Sequence, residues 1–329
     1  MGNRILILGS NSFSGSHFVT HCLLEGFDVV GISRSSELSP VFLPYKWRSF
    51  SRFKFYSLDL NLHLKDIMQV INDFQPEYIV NFAAQSMVGE SWNQPENWFM
   101  TNTVSTINFH DKLRHCSFIK KYIHISTPEV YGNCTGLVKE NTNYNPSTPY
   151  AVSRAAADMS LMSFIKTYNF PVIFTRAANV YGAGQQLYRI IPRTIIYFLT
   201  GRKLSLHGGG HSERSFIHIS DVCNGTLLAC QKGNPGDIFH FSTSQIISIR
   251  SLVEKIATKM NIDFHKHVEI VGDRLGKDSA YLLDSSQAKI QLNWTNSVNI
   301  DAGIEETISW VTNNLDILKN ENFNYVHKK

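Results

Sequence analysis

Cysteine is scarce and unpaired in this chain. Its five cysteines, Cys22, Cys116, Cys134, Cys223 and Cys230, are odd in number and form no C-x-x-C pair and no Cys/His cluster. Neither a disulfide framework nor a metal site is indicated, and a reducing cytoplasm is the expected compartment. Charge of one sign is also lacking: 31 Lys and Arg against 27 Asp and Glu leave +4, spread along 329 residues. That excludes the footprint of a dedicated nucleic-acid binder, so any anionic partner has to be held by a few placed arginines. No apolar run approaches the roughly 18 residues of a membrane span. The opening MGNRILILGS has no long apolar region or cleavage signal and reads as a first strand. Repeats, low-complexity tracts and charge blocks are absent too. What remains is an ordinary globular composition, 43% hydrophobic, long enough for about two domains.

Short apolar runs at 5–8, 29–32, 53–58, 78–82, 122–125 and 172–175 are bounded by Gly, Pro, Asn, Asp or Ser. Between them, residues 16–25, 63–74, 96–114 and 149–168 are long enough to be crossover helices. Strands alternating with helices predict an α/β fold with a doubly wound parallel sheet of Rossmann type. Beyond Thr175 the pattern loosens, which predicts a smaller, irregular α/β substrate domain. The expected division is a dinucleotide-binding domain over 1–180, with 215–262 returning to it, and a sugar-nucleotide domain over 181–214 and 263–329. Within this scheme a helix at 248–260 rejoins the nucleotide-binding layer and another at 303–314 caps the tail.

The first strand runs into GSNSFSGSH at 9–17 and then into helix. A strand, a tight glycine turn and a helix N-terminus aim free N–H groups and the positive end of the helix dipole at a pyrophosphate. Gly9 makes the turn and Gly15 allows close packing, while Ser12 offers a hydroxyl to a phosphate oxygen. Asn11, Phe13, Leu60 and Ala83 complete the expected cofactor set. The end of the second strand carries Ser33, Arg34, Ser35 and Ser36 and no acid. An acid there suits the ribose hydroxyls of NAD, so a basic, hydroxyl-rich turn favours NADP over NAD. Asp59, just past the third strand, is placed for the adenine.

Two further segments carry chemistry: STPEVYG at 126–132, at a strand end, and YAVSR at 150–154, at a helix start. With Thr148 as N-cap and Pro149 as first helical residue, Tyr150 and Arg154 stand four apart on one helix face. A free tyrosine has a pKa near 10, so forming the phenolate at neutral pH costs about 4 kcal/mol. A neighbouring cation lowers that cost.

From Gly9 to Asp284 the chain resembles the extended short-chain dehydrogenase/reductase family, whose members modify nucleotide sugars. The resemblance rests on Gly9 and Gly15, NFAAQS at 81–86, Thr101-Asn102, Tyr150, NVYG at 179–182, Arg214 before Ser-Phe-Ile, and DRLGKD at 273–278 with Tyr281 and Asp284. It implies that Tyr150 takes a proton from a sugar hydroxyl while hydride passes to the nicotinamide, with Thr127 assisting. Arg154 stands where the family usually has lysine; it keeps the charge on a bulkier, planar fork. Thr127-Pro128-Glu129 most resembles the triplet of nucleoside-diphosphate-hexose 4,6-dehydratases. There, oxidation at carbon 4 acidifies the carbon 5 hydrogen, a carboxylate removes it, water leaves from carbon 6 and the hydride returns to carbon 6. Glu129 is then the carbon 5 base. Pro128 replaces an acid that donates a proton in one branch, so Glu129, Thr127 or a water has to supply that proton.

The same resemblance places Gln85 and Ser86 in the sugar pocket, and Asn179, Arg189, Arg193, Arg214 and Arg274 around the diphosphate, where arginine forks suit phosphate oxygens. Lys203 opens an extended segment toward the nucleotide base. Apolar spacings at Met100, Val104 and Ile107, and at Ala155, Met159 and Met162, leave a stripe on one face of each helix; the resemblance implies that these helices pair across a two-fold axis in a homodimer. The leading expectation is an enzyme that holds NADP or NAD tightly and converts an NDP-hexose to its 4-keto-6-deoxy form. Competing expectations are a nucleotide-sugar 4-epimerase, a hexuronic-acid decarboxylase, and a nucleotide-sugar-binding protein without turnover.

Overall fold

Strand β1 (Arg4–Leu8) buries four of its five residues, because both faces of a parallel sheet are covered. Side chains alternate across it: Ile5 and Ile7 join one hydrophobic cluster, Leu6 and Leu8 another. The computed structural model describes residues 3–134, 136–272 and 282–328. Its central sheet also contains β2 (Asp28–Ser33), β3 (Phe53–Ser57), β4 (Tyr78–Asn81), β5 (Lys121–Ile125), β6 (Val172–Ala177) and β7 (Ile238–Phe241), in the spatial order β7-β6-β5-β4-β1-β2-β3, all parallel. The chain reverses its direction of travel between β1 and β4, which opens a crevice at the strands' carboxyl ends. Register brings those ends level, with Leu8 paired to Ile32 and to Asn81, and Asn81 to His124.

Helices α1 (Phe13–Leu24), α2 (Leu64–Phe74), α3 (Thr106–Leu113) and α4 (Pro149–Tyr168) fall where the sequence places crossovers. In α2, Ile67 and Ile71, four residues apart, are the buried pair that seats it. The expected single helix at 96–114 is instead three pieces, Pro95–Phe99, a π-helical turn at Met100–Ser105, and α3. Helix α1 covers the same face as α6 (Ile219–Lys232), while α2, α3 and α4 contribute to the opposite one.

Apart from the two clusters on the faces of the sheet, a second hydrophobic region lies among α5 (Ile190–Leu199), α7 (Ile249–Lys259) and α8 (Ile300–Asn313). Helix α7 buries Leu252, Val253 and Ile256 there. It therefore does not rejoin the nucleotide-binding layer as the sequence reading expected, because its apolar face is matched by α5 rather than by the sheet. Short strands border this region, with Glu213–His218 between Asn179–Tyr181 and Ile246–Ser248. Among the described residues no helix is long and apolar enough to cross a membrane.

Candidate active site

The phosphate turn is built by close contact. Gly9 has φ +76°, and a Cβ there would lie 2.7 Å from the Ala83 nitrogen. A Cβ on Gly15 would lie 2.1 Å from the Gly9 carbonyl oxygen, so α1 packs against the turn only with glycine at that position. Ser12 is the N-cap of α1: its hydroxyl donates to the Gly9 carbonyl (2.7 Å) and accepts from the Gly15 amide (3.0 Å). That hydroxyl is committed to the turn rather than free for a phosphate, a correction to the expectation from sequence. Asn11 ties the turn to the end of β2. Its amide donates to Ser33 Oγ (2.9 Å), and its side chain donates to the Ser35 and Ser36 carbonyls (3.1 and 3.0 Å). Phe13 is buried with its ring 5.1 Å from that of His17, and does not line the cavity in front of the turn.

That cavity, about 330 Å³, is lined by Gly9, Asn11, Ser12, Ser33, Arg34, Asp59, Leu60, Ala83 and Gln85, all expected from the sequence, and also by Tyr188, Tyr325, Val326 and Lys328, which were not. The Asp59 carboxylate faces it while accepting from the Asn61 amide at 2.7 Å. Gln85 is buried; Asn102 accepts from its amide (2.8 Å) and donates to its carbonyl (3.0 Å).

Thr127 and Tyr150 meet at the carboxyl end of β5. Pro128 opens a 3-10 turn (Pro128–Tyr131) and leaves Thr127 extended at φ −148°, ψ 145°. Thr148 caps α4 by accepting from the Ala151 amide at 3.2 Å, with Pro149 first in the helix. Tyr150 is buried and hydrogen-bonded to the Thr127 side chain. Burial pushes its pKa up and the nearby Glu129 carboxylate adds to this, while Arg154, Thr127 and Arg189 pull the other way without prevailing. The structure therefore brings Thr127, Glu129, Tyr150 and Arg154 together. The cation alone does not activate the phenol.

Arg154 is itself buried. Its guanidinium donates to the Ile125 carbonyl and lies 3.4 Å from His124 Nε2. Around His124 is a polar network that sequence reasoning missed. Asp158, one helical turn beyond Arg154, lies 3.2 Å from His124 Nε2 and 2.9 Å from Arg176 Nη2, and accepts from Ser126 Oγ at 2.6 Å. Burial works against ionisation of Asp158, but His124, Arg176 and Ser126 hold its carboxyl below the usual carboxylate range. Burial lowers the His124 pKa, so that ring is neutral at pH 7. The available signal was position: Asp158 is four residues from Arg154 on the same helix face.

The substrate candidates divide. Arg189 lies close enough to Tyr150 to influence it. Asn179 donates to the Ser215 carbonyl (3.1 Å) and Arg214 to that of Glu213 (2.8 Å). Arg193 is turned instead to the Phe323 carbonyl and the Asn324 side chain. Ser86 and Lys203 are exposed, and Lys203 precedes the strand Leu204–His207. Arg274 lies outside the described residues. Of the two expected apolar stripes, Met100, Val104 and Met159 are exposed, but Ala155 is buried against Val130 and Tyr131, and Val152 is exposed in its stead.

The family model for GDP-mannose 4,6 dehydratase matches residues 6–307. The chain is 28% identical over 344 residues to the dTDP-glucose 4,6-dehydratase of Escherichia coli, covering 94% of both. It is also 28% identical over 322 residues to a trifunctional UDP-glucose 4,6-dehydratase/UDP-4-keto-6-deoxy-D-glucose 3,5-epimerase/UDP-4-keto-L-rhamnose-reductase of Arabidopsis thaliana. The match covers 94% of this chain and spans only 47% of that protein. Among solved structures, a dTDP-glucose 4,6-dehydratase from Streptomyces venezuelae with NAD and TYD bound superposes with a TM-score of 0.87 at 27% identity, covering 95% of this chain and 98% of that one.

Proposed function

We propose, from the premise that this chain belongs to the GDP-mannose 4,6-dehydratase family, that it is a nucleotide-sugar dehydratase using a nicotinamide dinucleotide, NADP or NAD, and yielding an NDP-4-keto-6-deoxyhexose. The observation that carries this reading is the convergence of Glu129 and Tyr150 beside Thr127. A 4-epimerase has no step that calls for the carboxylate.

The residues at the crevice suit the cofactor. Gly9 leaves a cradle that a Cβ would fill, the cavity in front of it has a ligand-sized volume, and Arg34 with Ser33 and Ser35 edges it at the end of β2. Gly9, Asn11, Ser33, Arg34 and Asp59 would hold a nicotinamide dinucleotide, which would supply reversible hydride transfer for oxidation at sugar carbon 4 and reduction at carbon 6. Tyr150 takes the proton of the carbon 4 hydroxyl, and Thr127 holds that oxygen in line. The positive charge of Arg154 favours the phenolate. Glu129 removes the carbon 5 proton once carbon 4 is a ketone. With proline at 128, Glu129 hands the same proton to the departing carbon 6 hydroxyl, so that water leaves, and a proton from solvent adds at carbon 5 as hydride adds at carbon 6, matching the one that Tyr150 took from the carbon 4 hydroxyl. Arg189 and Arg214 supply forks for the diphosphate.

We also assign the exposed stripe of Met100, Val104, Val152 and Met159 to a two-fold contact between copies of this chain, to be checked by sedimentation. Five free thiols suit a reducing cytoplasm. The enzymatic test is a panel of GDP-, UDP-, dTDP- and CDP-hexoses followed by mass spectrometry. Loss of one water is the expected result. A mass-neutral isomer would establish an epimerase instead, loss of carbon dioxide a decarboxylase, and binding without conversion a non-catalytic protein.

A further inference from the structure

Residues 321–328 form neither helix nor strand, and their burial alternates: Phe323, Tyr325 and His327 are partly buried, whereas Asn324, Val326 and Lys328 are exposed. A segment with this period has one edge on the protein and one in water. It begins on the second hydrophobic region, where Arg193 donates to the Phe323 carbonyl and the Arg202 guanidinium lies 4.7 Å from the Phe323 ring centroid. It ends on the sheet side. The His327 ring stacks on Trp98 with centroids 4.8 Å apart and an interplanar angle of 8°, and accepts from Asn97 Nδ2 at 3.1 Å. The Lys328 carbonyl accepts from Gln85 Nε2 (2.7 Å) and Arg34 Nη1 (3.0 Å), while its ammonium donates to Ser35 Oγ (3.3 Å).

Between these two anchorages the segment passes the mouth of the cavity. Gly9, Asp59 and Ala83 line the cavity at the strand ends, and Tyr325, Val326 and Lys328 line the same cavity. The segment does not fill the space; it walls it. Tyr325 is held there by an edge-on contact with Tyr188 (centroids 5.6 Å apart) and by the His327 ring, 3.3 Å from its hydroxyl.

We propose that residues 323–328 are a clasp on the cofactor site: they close over a bound dinucleotide and set the rate at which it leaves. This rests on the dinucleotide reading given above. The contacts of the segment support retention. A dinucleotide in this cavity would meet Gly9, Arg34 and Asp59 and also Tyr325, Val326 and Lys328, which line the same space. Its release past the segment requires the Lys328 carbonyl to give up two donors and His327 to leave Trp98. Contacts of this kind act chiefly on the dissociation rate. The clasp also joins the two hydrophobic regions through Gln85 and Arg193, so both sides of the cleft take part in closing it.

The test compares the full chain with one ending at Asn324, which keeps the Phe323 anchorage. Each is loaded with NADP or NAD, and release is followed by stopped-flow fluorescence after mixing with excess competing dinucleotide. Dissociation from the shortened chain is expected to be faster by about tenfold or more, with association little changed. His327→Ala in the full chain, which removes the stack on the buried Trp98 ring and the Asn97 bond, is expected to accelerate release in the same direction. It reports independently if the shortened chain fails to fold. Unchanged release in both variants overturns the clasp. So does tighter binding after shortening, which would mean that the segment competes with the cofactor. A full chain that binds neither NADP nor NAD would remove the dinucleotide reading itself, an outcome distinct from normal binding with unaltered release.

Discussion

Asp158 Oδ2 lies 2.9 Å from Arg176 Nη2, and both side chains are wholly removed from solvent. Arg176 also donates to the Tyr131 and Tyr144 hydroxyls, so this pair pins α4, which carries Tyr150 and Arg154, to β6 behind the site. Removing one partner strands a buried charge, which typically costs about 3–5 kcal/mol. Asp158→Asn is expected to lower stability on that order in urea unfolding at pH 7. The sign with pH follows from the depressed carboxyl. The stabilisation is fully present above the unfolded carboxylate pKa of about 4 and is lost as pH falls below it. The gap between wild type and variant should therefore close on acidification; a gap constant down to acid pH would deny the pair its electrostatic role.

Glu129→Gln should separate two roles of one carboxylate. Without a base, the carbon 5 hydrogen stops exchanging with deuterated solvent, read by mass spectrometry or NMR; continued exchange would dismiss Glu129 as the base. Because the Glu129 charge raises the Tyr150 pKa, its removal should also move the pH profile of the carbon 4 oxidation step toward acid. That step is read in single turnover from the absorbance of the reduced cofactor.

Arg154→Lys is expected to retain or improve turnover, since the charge that favours the phenolate persists. It should lose about 1 kcal/mol of stability with the guanidinium bond to the Ile125 carbonyl. Arg154→Met removes the charge, so the pH profile of oxidation should move toward alkali. A dead Arg154→Lys protein with intact fold would show that the planar fork itself is required.

Arg34 edges the cavity with Ser33 and Ser35, at the turn where a 2′-phosphate would sit. Arg34→Ala should weaken NADP by about tenfold or more, as the loss of a charge-assisted pair with phosphate implies, and NAD by less. Calorimetry with both cofactors decides it, and equal losses would argue against discrimination at this turn.

Much of the architecture is visible in residue order alone. The β1 run, the glycines at 9 and 15 and the capped start of α4 are local signals, because strand alternation, turn geometry and helix capping act within a few residues. The same holds for Thr127, Glu129, Tyr150 and Arg154, whose two short segments could be recognised separately before anything showed that they meet. The hydrogen-bond partners of Ser12 and Arg193 were not legible, for the opposite reason. Their side chains had nearer partners, the Gly9 carbonyl and the Phe323 carbonyl, and such competition is decided by packing.

The sequence by itself determined a parallel sheet and a tight glycine turn after its first strand, since each is encoded by neighbours along the chain. The tertiary structure alone decided that Asp158, His124 and Arg176 share one buried network, that α7 packs with α5 and α8, and that residues 325–328 wall a cavity whose floor is Gly9. Contacts between separate elements, from 18 residues apart for Asp158 and Arg176 to 294 for Arg34 and Lys328, leave no periodicity or spacing to detect, and arise only when burial and hydrogen bonding bring the segments together.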